Sequence, residues 1–317
     1  MNADRLQDRI AKTSRESRFT FEVSRFTNPS GWLKALTYAL LVLAASSAPC
    51  LAYESEWVSF PALQGFNGKA VELAGLMFRP TGKKPFPALV LMHGCSGMYT
   101  RSGNVTRSYV HWLDLLAEAG YVALLVDSFT PRGYPRICEL DPRPIRESRE
   151  RRQDAYAALQ WLQKQDYVAE GRIGLLGWSN GGTGALYAMR ATQSLRGFRA
   201  AVAFYPGCRT LSRSKTSYRV YAPTLIHSGE ADDWTPAEHC VALTEIARKQ
   251  GSPLEIATYP GAHHSFDRIN LPLRYRPNVR NLNKRDRRGA TSGEHPEARE
   301  KAIKRTLEFF ANTLKTP

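Results

Sequence analysis

From Tyr53 onward, short continuous apolar runs alternate with longer stretches in which apolar residues recur at helical spacing. The run 87–92 is apolar throughout, as a strand buried on both faces of a sheet should be, and 121–126 repeats this pattern. The stretch 146–165 instead places alanines and leucines three and four positions apart, which predicts a helix with one buried face. Strands and helices that alternate in this way predict a mostly parallel sheet with helices on both faces. The remaining predicted strands are 57–60, 71–79, 172–176, 200–204, 224–227 and 254–258, and the remaining predicted helices are 109–119, 180–192, 236–249 and 296–314.

The first 52 residues precede this pattern and differ from it in composition. Lys34 is followed by an apolar run, 35–45, and then by small residues up to Ala52. This order is typical of a secretory signal, and the apolar run is too short to span a bilayer comfortably. The part before Lys34 is unusually long and polar for such a signal. We therefore expect an extension with a signal peptide or an uncleaved membrane anchor over 1–52, and one α/β domain over 53–317. The protein is then exported, to the periplasm or beyond, and meets a membrane only through an uncleaved N-terminal segment.

The composition is that of a globular protein with a basic surface. Hydrophobic residues make up 43% of the chain, which excludes a disordered protein. The formal net charge is +15 at pH 7 and lies mostly beyond residue 52. A basic surface attracts anions, but no nucleic-acid-binding motif accompanies it. Nucleic acid is therefore not an expected partner.

Cleavage after Ala52 leaves the cysteines Cys95, Cys138, Cys208 and Cys240. In an exported protein these four can form two disulfides, in three connectivities. We predict the pairs Cys95–Cys138 and Cys208–Cys240, because the members of each pair lie in loops after consecutive predicted strands. Four reduced, buried thiols are the alternative if the protein is not exported.

The sequence Gly177-Trp178-Ser179-Asn180-Gly181 lies between the predicted strand 172–176 and the predicted helix that follows it. Gly-x-Ser-x-Gly in this context is the nucleophile elbow of the α/β-hydrolase fold. Because the turn from strand to helix is sharp, its flanking positions must lack side chains, and Gly177 and Gly181 meet this need. The sequence therefore predicts Ser179 as a nucleophile, with a helix N-terminus behind it that favours negative charge.

A serine nucleophile needs a base and an acid that orients the base, and in this fold they follow the serine in the order acid, histidine. Asp232 follows the predicted strand that ends at His227, so it lies at the sheet edge where this fold builds its site. The adjacent Asp233 competes for the role, and we favour Asp232. His264 follows the last predicted strand and is the expected base, with His263 as a polar neighbour.

Two backbone N–H groups must stabilise the oxyanion that forms during attack. One comes from the residue after the nucleophile, Asn180, and the other from the loop after the third strand, where Cys95 is the expected donor. The Cys95 thiol is an alternative nucleophile. Its position after the third predicted strand, and not after the fifth, argues against that role.

Residues 267–293 are rich in arginine and lysine and show little periodicity. A structureless loop of this length is uncommon in a compact domain and is usually functional or disordered. Since it begins beside His264, we favour a functional loop, and a solvated surface loop is the alternative. Segment 206–222 is too short to form a cap domain, so none is expected.

Several motifs together resemble the dienelactone hydrolase family, in a branch of exported hydrolases, over residues 71–310. The resemblance implies the α/β-hydrolase fold and the triad already derived. The motifs are Met92-His93-Gly94-Cys95, Asp127-Ser128-Phe129-Thr130-Pro131-Arg132-Gly133, the elbow, Gly229-Glu230-Ala231-Asp232 and Tyr259-Pro260-Gly261-Ala262-His263-His264-Ser265-Phe266-Asp267.

The resemblance also implies how the substrate is held, because the family's substrate is a carboxylate-bearing lactone bound by arginines. Arg268 lies four residues after His264 and matches one of these arginines, and Arg132 lies near the other. An arginine fork binds a carboxylate through two parallel hydrogen bonds. A structural ion pair or a solvent-exposed position is the alternative for each arginine.

Two departures from the family shape the expected reaction. Ser179 stands where dienelactone hydrolases proper have a cysteine, and Gly94 stands where they have an acidic residue. Both favour a general ester over a true dienelactone. We expect hydrolysis of a small carboxylic ester or lactone, anionic if the arginines bind it, through an acyl-serine intermediate and without metal or organic cofactor. A serine peptidase on the same triad and a non-catalytic envelope-associated module are the alternatives.

Overall fold

The structure, a computed structural model, describes residues 53–191, 194–213 and 218–315. The predicted N-terminal extension and export segment, 1–52, lie outside the described residues. Eight strands form the main sheet: β1 (Tyr53–Pro61), β2 (Glu72–Pro80), β3 (Phe86–Met92), β4 (Val122–Asp127), β5 (Val168–Trp178), β6 (Ala200–Phe204), β7 (Thr224–Gly229) and β8 (Leu254–Tyr259).

The sheet has the order β1-β2-β4-β3-β5-β6-β7-β8. β2 pairs antiparallel with β1 and with β4. From β4 across β3 to β8, every neighbouring pair is parallel. All residues of β4 and of β7 are buried, as expected for strands covered on both faces. The predicted mostly parallel sheet is therefore confirmed.

Helices pack against both faces of this sheet. In β3, Ala88 and Val90 enter one apolar core, whereas Leu89 and Leu91 enter another, because successive side chains of a strand point to opposite faces. The helices are α1 (Arg107–Glu118), α2 (Arg152–Gln163), α3 (Asn180–Ala188), α4 (Arg209–Arg213), α5 (Ala237–Arg248) and α6 (Pro296–Phe310). The first core includes residues of α2, α3 and α5, and the second includes residues of α1 and α6.

The prediction of a structureless loop over 267–293 is wrong. The segment contains an antiparallel hairpin of β9 (Arg274–Arg280) and β10 (Arg288–Ser292). Few of its residues are buried, and two of these, Val279 and Ala290, join a small apolar cluster formed mainly by the loops after β3 and β4. A two-stranded ribbon that buries so few side chains leaves no clear alternation in its sequence, which explains why the pattern missed it.

Both predicted disulfides are confirmed. Cys95 is bonded to Cys138 and Cys208 to Cys240, with Cα atoms 4.9 Å and 5.0 Å apart. The first disulfide fastens the loop after β3 to the loop after β4. It therefore restrains a segment at the carboxyl edge of the sheet.

The connection between β6 and β7 is short, as its sequence predicts. Within its described residues it holds the short helix α4, and the described part of the chain forms no cap domain over the sheet edge. Among the helices of the described ranges, none combines the length and the apolar character that a membrane span requires.

Candidate active site

Ser179 lies at the turn from β5 into α3 and has φ 52° and ψ −113°. A positive φ is strained for a residue with a side chain, and such strain is common at functional turns. A Cβ on Gly181 would lie 2.0 Å from the carbonyl oxygen of Met92, and one on Gly177 would lie 2.4 Å from the carbonyl oxygen of Gly181. Both positions therefore require glycine, and the turn presents Ser179 at the carboxyl edge of the sheet.

Ser179, His264 and Asp232 form a hydrogen-bonded row. The Oγ of Ser179 lies 3.0 Å from the Nε2 of His264, and the Nδ1 of His264 lies 2.8 Å from the Oδ2 of Asp232. His264 is 2% exposed and Asp232 is 3% exposed, so water screens this pair little. The structure thus brings together three residues that lie 85 and 32 positions apart in sequence.

The structure separates Asp232 from its neighbour Asp233. The Oδ1 of Asp232 accepts hydrogen bonds from the backbone N–H groups of Trp234 and Thr235, at 2.9 Å and 2.8 Å, which leaves Oδ2 directed at the histidine. Asp233 instead pairs with Lys284 at 3.1 Å, away from this row. The geometry therefore agrees with the choice of Asp232.

Thr235 is a residue of the site that the sequence analysis missed. Its Oγ1 lies 2.8 Å from the Oδ2 of Asp232 and 3.0 Å from the Nδ1 of His264. The rings of Tyr205 and Trp234 each lie 4.6 Å from the His264 ring, centroid to centroid. A hydroxyl three residues after the acid was the available signal, because threonine at that position of a turn often bonds back to an aspartate.

The two predicted oxyanion donors, Cys95 and Asn180, lie in the loop after β3 and directly after Ser179. Cys95 lines the same pocket as the serine, and its sulfur is held in the disulfide, which excludes it as a thiol nucleophile. The N–H of the preceding Gly94 is already used by the hydroxyl of Tyr109, at 2.9 Å. Asn180 is the first residue of α3, where a backbone N–H has no partner within the helix. Its side-chain amide donates to Glu147.

A buried arginine supports the loop that carries Cys95. Arg151 is fully buried, donates to the carbonyl oxygen of His93 and stacks over the Phe129 ring at 4.9 Å. The Nδ1 of His93 donates to the carbonyl oxygen of Gly94 at 2.8 Å, and its Nε2 lies 3.3 Å from Arg151. Burial and the charge of Arg151 hold the pKa of His93 well below its usual range, so its ring is neutral. No sequence motif indicated this support.

The prediction that Arg132 binds substrate is wrong. Its side chain is 1% exposed and makes two hydrogen bonds to the carboxylate of Asp154, at 2.8 Å and 2.7 Å. It also donates to the backbone carbonyl of Ser128 at 2.7 Å. Arg132 is buried in the ion pair that the sequence analysis kept as its alternative, because the charge of Asp154 inside the domain requires a partner.

Arg268 lines the pocket of Ser179, and so does Arg276 of the hairpin, which the sequence analysis named only as part of a basic stretch. The Arg268 guanidinium lies 5.9 Å from the centroid of the Tyr109 ring, and that of Arg276 lies 5.5 Å from the Trp234 ring. The pocket is lined by Gly94, Cys95, Ser96, Ser108, Tyr109, Trp112, Trp178, Ser179, Tyr205, Trp234, His264, Ser265, Asp267, Arg268 and Arg276.

Asp267 is the acidic side chain among these residues. Its carboxylate accepts hydrogen bonds from the ring N–H groups of Trp112 and Trp178, at 3.0 Å and 2.7 Å, and from the hydroxyl of Tyr205 at 2.5 Å. Burial raises its pKa, and these donors oppose that rise. Because Trp178 precedes Ser179 and Tyr205 packs on His264, Asp267 links the elbow to the loop that carries His264.

No group of three or more His, Cys, Asp and Glu side chains in the described ranges is arranged to hold a metal ion. The pocket brings together the Ser179 hydroxyl, the His264 imidazole paired with Asp232, the Asp267 carboxylate and two arginines. Together they define the site of an α/β-hydrolase.

Comparison with known proteins agrees with this class. The sequence model of the dienelactone hydrolase family matches residues 73–314, and the chain belongs to that family. A Bradyrhizobium protein described as a probable 2-oxo-3-(5-oxofuran-2-ylidene)propanoate lactonase is 30% identical over 223 residues, which is 67% of this chain and 83% of that protein. The chain is therefore a carboxylic ester hydrolase.

Solved structures share the fold at low sequence identity. A dienelactone hydrolase from Anabaena variabilis has a TM-score of 0.58 and 18% identity, and the match covers 83% of this chain and 99% of that chain. An acylaminoacyl peptidase from Pyrococcus horikoshii has a TM-score of 0.59 and 20% identity, with coverage of 88% and 44%. The second match spans less than half of the peptidase.

Proposed function

We propose that this protein hydrolyses a carboxylic ester or lactone through an acyl intermediate on Ser179. The observation that carries the proposal is the hydrogen-bonded row from Ser179 Oγ through His264 to Asp232 in a pocket of an esterase family. A serine hydroxyl is a weak nucleophile alone, and an imidazole 3.0 Å from it can take its proton during attack.

The row supports each step of the reaction. His264 Nε2 accepts the serine proton as Oγ bonds to the ester carbon, and the oxyanion receives hydrogen bonds from the backbone N–H groups of Cys95 and Asn180. The protonated imidazole, held by Asp232, then donates its proton to the departing alkoxide, and the acyl-serine remains. A water molecule gives one proton to His264 and attacks the acyl carbon, and Ser179 recovers its proton as the acid leaves. For a lactone, the alkoxide that departs stays attached to the acyl group.

The hydrogen bond from each oxyanion donor becomes stronger in the transition state, because negative charge develops there on the substrate oxygen that it contacts. Removal of one such donor typically lowers kcat by about 10²–10³-fold. The donors here are backbone groups at a strained turn and in a disulfide-bonded loop. They are therefore fixed before substrate binds, and no reorganisation is needed during attack.

We propose further that the substrate carries a carboxylate bound by Arg268. The Bradyrhizobium relative is described as a probable lactonase of 2-oxo-3-(5-oxofuran-2-ylidene)propanoate, a name that combines a lactone ring with a carboxylate. Arg268 lines the pocket of Ser179, 5.9 Å from the centroid of the Tyr109 ring, and a guanidinium fork at this place can bind a carboxylate through two hydrogen bonds. A charge-assisted hydrogen bond is worth roughly 1.5–3 kcal/mol, so a charged ester should exceed a matched neutral ester in kcat/KM by about 10–100-fold. Arg268→Ala should bring that ratio close to one.

The experiment that tests the catalytic proposal compares adjacent residues. Ser179→Ala and His264→Ala should each lower ester hydrolysis by at least about 10⁴-fold while circular dichroism stays unchanged. His263→Ala is the matched control and should keep normal turnover, because His263 lies outside the row. Near-normal activity in Ser179→Ala, or equal losses in the two histidine variants, would reject the mechanism.

We also propose that the protein is exported. Disulfides persist in oxidising compartments, and the two disulfides of the described chain support this localisation. The basic, apolar and small residues of 34–52 support it independently. Fractionation of cells that express the full chain tests it, since the enzyme should be recovered outside the cytoplasm.

A further inference from the structure

A groove runs outward from the catalytic pocket. Ser96, Arg268 and Arg276 line both spaces, so the pocket and the groove are continuous at these residues. Arg101 and Arg136 line the outer part of the groove. The groove holds about 1050 Å³, open solvent included, which is room for part of a substrate beyond the ester itself.

The charge along this groove is one-sided. Its described lining contains the four arginines and no acidic side chain. Arg136 has Glu139 at 3.5 Å. Within the ranges that the structure describes, Arg101, Arg268 and Arg276 form no ion pair with a carboxylate. Three of the four guanidinium groups are therefore outside ion-pair distance of a carboxylate and are available to an anionic ligand.

Arg276 lies among the other positive charges of the groove. Burial lowers its pKa, and the neighbouring charges of Arg136, Arg268 and Arg101 lower it further, with Glu139 opposing them. Guanidinium groups that repel one another in a half-buried position work against folding. Perturbed charged groups in a cleft of this kind concentrate at functional sites, where a bound ion of opposite charge relieves the repulsion.

The hairpin that carries Arg276 is bonded to the loop after β4. The backbone N–H of Arg280, at the end of β9, donates to the carbonyl oxygen of Cys138 at 2.9 Å, and its Nε bonds to Asp141 at 2.8 Å. Cys138 is covalently joined to Cys95 of the oxyanion loop. The hairpin therefore holds Arg276 at a fixed place relative to the catalytic residues, as a specific anion site requires.

We propose that the groove is a second anion subsite, and that the substrate carries two carboxylates besides the ester or lactone that is cleaved. The inner carboxylate binds Arg268, which rests on the proposed function above. The outer carboxylate binds between Arg101, Arg136 and Arg276. The substrate class is thus a dicarboxylic ester or lactone, and the hairpin residue Arg276 is the link between the two subsites.

The test uses three 4-nitrophenyl esters of equal acyl length, with no carboxylate, one carboxylate or two, and a mirrored series of alkyl esters with the carboxylates in the alcohol part. Values of kcat/KM are measured for the wild type, for the double variant Arg101→Gln/Arg136→Gln and for Arg248→Gln. Arg248 is an exposed arginine of α5 outside the lining of the pocket and groove, so its variant removes a charge without touching the subsite.

In one of the two series, the second carboxylate should raise the kcat/KM of the wild type by about 10-fold or more. The double variant should lose that gain, and Arg248→Gln should keep it. Equal rates for mono- and dianionic esters in both series of the wild type, or equal losses in both variants, would overturn the proposal. A larger gain from a phosphomonoester in the outer position would overturn the assignment to a carboxylate. These results are separable from the proposed function, because failure of the triad removes hydrolysis of the neutral ester as well.

Discussion

Replacing Arg132 with methionine removes a buried charge and keeps most of the side chain's volume. In the wild type this guanidinium makes two hydrogen bonds to Asp154 and one to the carbonyl oxygen of Ser128, with the ion-pair side chains 1% and 0% exposed. Removing one member of a buried pair typically costs about 3–5 kcal/mol, because the other charge is left without a partner. A domain is stable by only about 5–15 kcal/mol, so this is a large fraction. At about 2–4 °C per kcal/mol, Tm should fall by roughly 6–20 °C.

The loss of stability in Arg132→Met should be smaller at low pH than at neutral pH. Burial raises the pKa of Asp154, and the charge of Arg132 opposes that rise. Without Arg132 the pKa of Asp154 rises further, so the carboxyl group is protonated over a wider range. A carboxyl group whose pKa is raised by folding stabilises the fold at low pH and loses that contribution as pH rises through the raised pKa. The difference in Tm between wild type and Arg132→Met should therefore be smaller at pH 4.5 than at pH 7.5.

The assay pairs thermal unfolding with substrate selectivity. The double variant Arg132→Met/Asp154→Leu should recover much of the lost stability, because a buried ion pair can be replaced by apolar side chains of similar volume. Arg132→Met should keep the wild-type preference for a charged over a neutral ester, whereas Arg268→Met should lose it with little change in Tm. A stable Arg132→Met that lost the preference would show that Arg132 binds substrate and would refute this argument.

Three further substitutions test residues that hold the site in place. Cys138→Ser should lower kcat more than it raises KM, because loss of the disulfide frees the loop that carries the proposed oxyanion donor. Steady-state kinetics measure both parameters, and a change in KM alone would contradict this prediction. Thr235→Val should lower kcat about 10-fold through loss of the hydroxyl beside His264, with Thr235→Ser restoring it, and failure of the serine variant to restore kcat would count against the hydroxyl. Gly181→Ala should fail to fold or lose several kcal/mol, since its Cβ would lie 2.0 Å from a carbonyl oxygen, and a urea midpoint equal to that of the wild type would contradict this.

The parallel sheet and the residues of the proposed triad were accessible from the sequence because each has a local signature. Buried parallel strands are continuous apolar runs, such as 87–92, and the elbow around Ser179 combines two glycines with a strand and a helix. The order of acid and histidine after the serine then limited the choice to Asp232 or Asp233 and His263 or His264. The sequence favoured Asp232 and His264, and in the structure these two side chains form the hydrogen bonds to one another and to Ser179.

What the sequence did not reveal depends on contacts between distant segments. Arg132 and Arg268 are both arginines beside family motifs, and the partner that distinguishes them, Asp154, lies on a helix without a signature of its own. Arg151 and Thr235 act through hydrogen bonds to backbone and to side chains fixed by other loops. The hairpin that carries Arg276 buries too few residues to leave a periodic pattern.

The central claim is that Ser179 is an activated nucleophile, and covalent labelling tests it most directly. The purified protein is incubated with a fluorophosphonate, which reacts only with an activated serine, and the digested product is mapped by mass spectrometry. The account predicts a single adduct on the peptide that contains Ser179, and none in His264→Ala, where the base is missing. An adduct on another residue, or an active enzyme that the probe does not label, would contradict it.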